Sequence, residues 1–407
     1  MPFELLILAF ALAYAAAWIG HAFLWTTVLN YVYARPYSKT ILKAWRLATG
    51  LGILLFPQII YSIMPPSHWA SIPDSYGAPL DPFNGTVGRI AAAYSCLCLG
   101  IGGIIYPAIN AYRLTRKPPE VLLSETTHTL DLWKELGTKA IGEGKGAFAA
   151  KLPFNCIYRV DFTELELAIP NLPPEWNGLT ILHLSDVHYH GTPSRAFHER
   201  VGSEIETRWP RPDLVCLTGD YVDTDEHHAW IGPLLGRLHG TEWNFAILGN
   251  HDVKHNPERV REALVSSGYR VLGNGWQEAT IRGVRCVMVG HEGPWFDPPP
   301  DLAAAPAEGF RLCLSHTPDN FYWGQANRVN LMLCGHVHGG QIRLPVISSI
   351  FVPSVYGRRF DMGVFEGQGT TMVVGRGLSG KEPLRFRCHP QVIRITLKSS
   401  EGAREGE

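Results

Sequence analysis

Five short apolar runs that each end in a histidine, an aspartate or an asparagine limit this chain more than any other feature. Leu179-Thr180-Ile181-Leu182-His183-Leu184 ends at Ser185-Asp186-Val187-His188, and Asp213-Leu214-Val215-Cys216-Leu217 ends at Thr218-Gly219-Asp220. Asn244-Phe245-Ala246-Ile247-Leu248 ends at Gly249-Asn250-His251-Asp252. Leu312-Cys313-Leu314 ends at Ser315-His316, and Leu331-Met332-Leu333-Cys334 ends at Gly335-His336-Val337-His338. Runs of this length read as strands buried on both faces. Helical segments near Pro193–Thr207 and Pro257–Ser267 separate some of them, so the body is an α/β fold. Such folds bind ligands outside the carboxyl ends of their strands. All five loops are therefore expected to meet in one place.

The residues they deliver are Asp186, His188, Asp220, Asn250, His251, His316, His336 and His338. Oxygen donors mixed with several imidazoles suit a first-row transition metal rather than calcium or magnesium. The set is too large for one tetrahedral site. Two metals roughly 3.5–4 Å apart that share a carboxylate account for it, and such pairs hydrolyse phosphate esters.

Asp186-x-His188, Gly219-Asp220-x-x-Asp223, Gly249-Asn250-His251-Asp252, His316 and Gly335-His336-x-His338 resemble, in order, the five blocks of the calcineurin-like metallophosphoesterases. The wording around His316 and from Gly335 to Pro345 looks like the bacterial membrane-associated branch similar to the YaeI-type phosphodiesterases. The resemblance covers about residues 175–395. It implies a four-layer αββα sandwich and a dinuclear centre. Asp186, His188 and His338 are similar to the ligands of one metal. Asn250, His316 and His336 are similar to those of the other, with Asp220 in the bridging position. A hydroxide bridging the metals would be the nucleophile. His251 would contact the scissile phosphate and assist the leaving group, and Asp252 would orient it. Asp223 is expected to stabilise its loop rather than to ligate. Gln341 and Arg343 are candidates to bind substrate phosphate, although Arg343 could equally cap a helix or face solvent. The two divalent ions could be manganese, iron, zinc or nickel.

Other histidines weigh less. His183 reads as a packed strand residue. His190 either lines the pocket or lies in a solvated loop. His227, His228 and His291 are expected at the surface or in loops. Gly375-x-Gly377-x-x-Gly380 satisfies a dinucleotide pattern, but Lys381-Glu382-Pro383 stands where a helix should start, so it reads as a loop near the site rim.

The front of the chain is different. Residues 1–117 carry eight basic and three acidic residues, while the remaining 290 residues carry 28 and 34. No charge lies between Glu4 and Arg35, between Arg46 and Asp74, or between Arg89 and Arg113. About 20 apolar residues cross a bilayer, so spans are expected near 5–29, 47–64 and 90–112. The middle one is short and holds Pro57 and Gln58, which suggests a kink or a re-entrant turn. A cleaved leader is disfavoured by Glu4 and by the length of the first run. Arg35, Lys39, Lys43 and Arg46, then Arg113, Arg116 and Lys117, mark the inner face. They imply an integral membrane protein with a cytoplasmic body, in a bacterial inner membrane if the resemblance holds. The triplet Asn84-Gly85-Thr86 carries no weight. Residues 118–150 read as a linker with a short helix near Ser124–Leu136, 151–397 as the catalytic domain and 398–407 as a polar tail. The eight cysteines have no disulfide or zinc spacing and read as free thiols.

A net charge of −1 excludes a strongly basic nucleic-acid binder. The expectation is a metal-dependent phosphodiesterase or pyrophosphatase. Its alternatives are a lipid pyrophosphate hydrolase of the UDP-2,3-diacylglucosamine type, acting on a membrane lipid, and a non-catalytic membrane scaffold.

Overall fold

Strands whose two faces are both apolar must be covered on both sides, and the computed structural model of this chain does so with two stacked sheets. It describes residues 3–63, 86–345 and 347–399. Asn84, Gly85, most of the loop before Arg89 and the tail beyond Ser399 lie outside the described residues. The chain divides into two units, Met1–Tyr33 with Tyr37–Lys117, and Pro118–Glu407 with Ala34–Pro36.

In the first unit, helices Phe3–Tyr33 and Lys39–Ile63 precede a third that runs from Thr86 to Thr115. Glu4–Tyr33 and Gly88–Thr115 are long and apolar enough to cross a membrane. The middle helix, whose amino half carries Lys39, Lys43 and Arg46, falls short of that measure. It is nonetheless continuous through Pro57 and neither breaks nor turns back. Proline removes one backbone donor and so frees the carbonyl four residues earlier. That carbonyl, on Ile53, accepts from Trp18 Nε1 at 2.8 Å, and Tyr14 donates to the Pro57 carbonyl at 2.7 Å. The third helix contains a π turn at Ile101–Ile105, just ahead of Pro107. The first and third helices approach closely at small residues. A Cβ on Gly102 would lie 1.8 Å from the Ala16 carbonyl oxygen, and one on Gly20 would lie 1.9 Å from that of Cys98.

The second unit is the sandwich. Its strands are β1 (Leu122–Asp131), β2 (Arg159–Ile169), β3 (Thr180–Leu184), β4 (Leu214–Thr218), β5 (Trp243–Ile247), β6 (Arg270–Val271), β7 (Gly275–Ile281) and β8 (Val284–His291). There follow β9 (Phe310–Ser315), β10 (Leu331–Cys334), β11 (Arg343–Leu344), β12 (Ser348–Ser349), β13 (Gly363–Gly367), β14 (Thr370–Val374) and β15 (Gln391–Ser399). One sheet has the order β1-β2-β15-β3-β4-β5-β6 and the other β13-β14-β10-β9-β8-β7. Within them β3 to β6 run parallel, as do β8, β9, β10 and β14.

Alternation along the strands builds the layers. Ile181, Leu214, Cys216, Phe245 and Ile247 meet Met288, Leu312, Leu314, Leu331 and Leu333 between the sheets. The intervening Leu182, Leu184, Val215 and Leu217 face Phe197, Val201, Leu234 and Leu264 of the outer helices. Beyond the second sheet, Met332 and Val374 pack on Phe321 and Phe360. The αββα order holds. Its last layer is thin, a helix Phe321–Ala326 with loops.

The presumed linker is part of this fold. Leu122–Asp131 is an edge strand paired antiparallel with β2, not a helix. Its β-branched Thr126, Thr127 and Thr129 favour extended backbone. The Thr127 and Thr163 hydroxyls lie 3.1 Å apart across the pair, and Thr129 donates to Asp161 at 2.6 Å. A short helix, Leu132–Leu136, follows. All eight cysteines are free.

Candidate metal centre

The loops after β3, β4, β5, β9 and β10 do converge. The backbone ties them together: the Asp186 amide donates to the Gly219 carbonyl at 3.0 Å, His188 to that of Asp220 at 3.0 Å, and Gly335 to that of His316 at 3.1 Å. Asp186, His188, Asp220, His336 and His338 all have positive φ, between 44° and 70°. Non-glycine residues reach this region at a cost, and it clusters at functional sites. Two glycines allow the close approach. A Cβ on Gly249 would lie 2.2 Å from Asp220 Oδ1, and one on Gly335 would lie 2.4 Å from Asp186 Oδ2.

Three histidines offer the same ring atom to the centre. His188 Nδ1 is held by Asp223 Oδ2 at 3.0 Å, His316 Nδ1 by the Thr218 carbonyl at 2.7 Å, and His338 Nδ1 by the Ser379 carbonyl at 3.2 Å. Each Nε2 is thereby turned inward. A metal-ligating histidine characteristically donates its other N–H in this way. His188 Nε2 lies 3.3 Å from His338 Nε2 and 3.6 Å from Asp220 Oδ2. Asp220 Oδ2 is also 3.5 Å from His316 Nε2, and Asn250 Oδ1 is 3.0 Å from that same nitrogen. His338 Nε2 is 3.5 Å from Asp186 Oδ1. Buried His336 Nε2 has no hydrogen-bond partner among the described residues, a costly state unless something else engages it.

The electrostatics agree with a cation at this point. Burial disfavours the His188 cation, but Asp223, Asp220 and Asp186 outweigh it and lift its pKa to about 9. Burial likewise opposes charge on His316, which Asp220 and Asp186 lift to about 9. Burial raises Asp220, but His316, His251 and His188 hold it well below the usual carboxylate range. His336 and His338 are kept neutral, mainly by burial, well below the ordinary imidazole value. Carboxylates pull protons onto two imidazoles where a divalent ion would supply the charge. The donor set fits such an ion.

His251 differs from the sealed rings. Its side chain is 18% exposed, while those of His188 and His316 are 0%. Its amide donates to Asp220 Oδ1 at 2.7 Å and its ring stands edge-on to His188, 4.7 Å between centroids. The expectation for Asp252 does not hold. Its carboxylate accepts the amides of Asp220, Tyr221, Val222 and Gly249, between 2.8 and 3.3 Å. The carboxylate on His251 Nδ1 is Asp223, whose other oxygen holds His188. Asp252 sits on backbone because a carboxylate that leaves the β5 loop inward meets the exposed amides of the β4 turn.

Other candidates sort cleanly. Arg343 is 15% exposed and pairs with Asp361 at 2.9 Å and with Ser348 Oγ at 2.6 Å, so its guanidinium is engaged within the protein. Gln341 donates to the Glu382 carbonyl at 3.2 Å. His183 is buried in β3 against Thr218 Oγ1 at 3.0 Å, and burial drops its pKa to about 3. His190 is buried on the Gly380 carbonyl and is not solvated. His228 and His291 are buried rather than superficial: His228 lies between the Asp225 and His255 carbonyls, and His291 packs on Trp323. The Gly375–Gly380 segment is a rim loop, with Leu378 and Ser379 donating to Ser185 and Asp186. Trp295 was missed. Its ring lies 4.6 Å from that of His336 and 5.4 Å from that of His316. The signal was there, since β8 also ends in His291-Glu292 and Trp295 follows it as the metal-loop residues follow their strands.

Residues 179–340 match the calcineurin-like phosphoesterase family. The chain is similar to the metallophosphoesterase YkuE of Bacillus subtilis, with 30% identity over 60% of this chain and 87% of that one. It is similar to the phosphodiesterase YaeI of Escherichia coli, with 32% identity over 53% and 81%. It is also similar to the UDP-2,3-diacylglucosamine pyrophosphatase LpxG of Chlamydia trachomatis, with 25% identity over 56% and 87%. With the strand-end histidines and carboxylates, their convergence and these relatives together, the chain belongs to the calcineurin-like phosphoesterase family and is a hydrolase of phosphoester bonds.

Proposed function

We propose that the chain hydrolyses a phosphodiester or a pyrophosphate with two divalent metals held side by side. One observation carries this reading. Asp186, His188 and His338 form one group of donor atoms within 4.8 Å of one another, Asp220, His316 and His336 form a second, and His188, Asp220 and His251 link the two. Asn250 adds an oxygen to the second group. Bound divalent ions would supply Lewis acidity toward the phosphoryl oxygens and acidify a water. Asp220, within 3.6 Å of donors on both sides, suits the bridging position. His251, open to solvent and steadied by Asp223, is suited to hold a proton at Nε2 toward the leaving oxygen. Manganese, iron, zinc and nickel all accept this donor set. Elemental analysis of the gently purified full chain, with hydrolysis of bis(4-nitrophenyl) phosphate, tests the proposal. Two metals per chain and loss of both metal and rate in Asp220→Ala are expected. Full activity with one metal would overturn the dinuclear reading.

Residues 1–117 would anchor the catalytic unit, which begins at Pro118, with the basic residues at 35–46 and 113–117 on the cytoplasmic side. The apolar helices, together with the relative LpxG, favour a second reading in which the phosphoester belongs to a membrane lipid. Rates on a lipid pyrophosphate in mixed micelles, set against a small soluble diester, separate the two readings.

A further inference from the structure

A cavity of about 400 Å³ lies away from the metal loops, where the helix Arg195–Arg208 ends. Trp209, Arg211 and Pro212 line it just before β4 begins, whereas Asp220 follows the other end of that strand. The nine residues from Pro212 to Asp220 span on the order of 25 Å when extended.

The wall holds three guanidiniums, Arg211, Arg237 and Arg394, and one carboxylate, Glu206. Glu206 is taken by Arg237, whose Nε lies 2.9 Å from it. Arg211 and Arg394 bond only carbonyls among the described residues, those of His239 and Pro210, each at 2.9 Å. The acids near Arg394 act on it through space without pairing directly. Asp213 is engaged by Arg282 at 2.9 Å and by Thr180, and Glu164 lies opposite Arg394 in the β2–β15 register. The carboxyl end of the helix adds only about half a negative charge. Trp209 is 7% exposed and packs its ring on Phe162, 5.8 Å between centroids. Leu182, Ile205 and Leu238 add an apolar lining.

We propose that this cavity binds an anion carried on a small apolar body, a phosphate, sulfonate or carboxylate ester or acid. Arg211 and Arg394 hold the anionic group, since guanidinium matches such oxygens two at a time. Trp209, Leu182, Ile205 and Leu238 cover the apolar part. The volume is that of a small-molecule site. The ligand is either a soluble acid or the headgroup of an anionic lipid.

Benzenesulfonate is a suitable probe, because it is always charged and is not an ester. The full chain in neutral detergent, stripped of metal, is titrated calorimetrically. One saturable site is expected, weakened at least tenfold in the double variant Arg211→Gln/Arg394→Gln but unchanged in His316→Ala. Benzenesulfonamide, neutral and of similar shape, should bind far more weakly. No saturable binding, equal binding of the sulfonamide, or undiminished binding in a folded double variant would each overturn the proposal. Repeating the titration in nanodiscs identifies the source. Competition by phosphatidylglycerol against a phosphatidylcholine background identifies a lipid headgroup, and undisturbed probe binding identifies a soluble acid.

Discussion

Asp252 follows His251 in the chain, yet its carboxylate turns away from that ring and accepts the amide of Asp220 at 2.9 Å. It thereby fastens the β5 loop to the β4 turn, and its two oxygens also take the amides of Tyr221, Val222 and Gly249. A buried donor left without an acceptor costs about 1–3 kcal/mol. Asp252→Ala is therefore expected to lose roughly 3 kcal/mol or more and to load metal poorly. Thermal unfolding with and without added metal checks this. Unchanged stability with lost turnover would return Asp252 to the chemistry.

Asp223 has the opposite signature. One oxygen holds His188 and the other holds His251. Groups that orient metal ligands typically contribute 10–100-fold in metal affinity or rate. Asp223→Ala should fold normally, bind metal about 10–100-fold more weakly and show a displaced pH–rate profile. A variant with normal affinity and an unmoved profile would mean that Asp223 serves the loop alone.

His251→Ala should keep its metals. If the ring protonates the leaving oxygen, the variant should lose about 10²–10⁴-fold on an alkyl ester and far less on a nitrophenyl ester, which departs without help. Equal loss on both would reject proton donation and leave charge stabilisation. Loss of metal would make His251 a ligand.

The two imidazoles with pKa lifted to about 9 give a sign for pH. Their folded value exceeds the ordinary 6.5, so their contribution to stability of the metal-stripped chain is complete below pH 6.5 and is lost as pH rises toward 9. A cation must displace the same protons, so its affinity should rise over that interval, by up to about tenfold per pH unit for each proton released. Manganese titrations against a competing chelator, with melting curves of the stripped protein, test both halves. A pH-independent affinity between 6.5 and 9 would contradict the charge balance around His188 and His316.

What the sequence made legible follows a physical pattern. Each strand end could be read because burial on both faces forces an unbroken apolar run and the first polar residue afterwards marks its exit. Motif glycines were readable for a related reason: at Gly249 and Gly335 a side chain would collide with Asp220 and Asp186. The direction of a carboxylate was not readable. The motifs assign Asp252 to His251 and Asp223 to its own loop, whereas the path of the β4 turn brings Asp223 to the imidazoles and Asp252 to the amides. The five left-handed site residues were equally hidden, since aspartate and histidine do not announce a positive φ as glycine does. Leu122–Asp131 was misread because an edge strand with one exposed face lacks the dense apolar signal of β3 or β4.

The origin of the candidate ligands has one more consequence. Asp186, His188, Asp220 and Asn250 leave one sheet, and His316, His336 and His338 leave the other. A cation shared by the two sets would act as a cross-link between layers that otherwise meet through a mainly apolar interface and a few hydrogen bonds, such as Trp243 Nε1 to the Thr280 carbonyl at 2.8 Å. Chelation would then resemble cutting a staple. The layers would regain freedom to slide, and amides along β4 and β9 would exchange with solvent sooner although no strand had melted. Occupancy of the centre could thus be followed from hydrogen exchange deep in the sandwich, remote from any substrate.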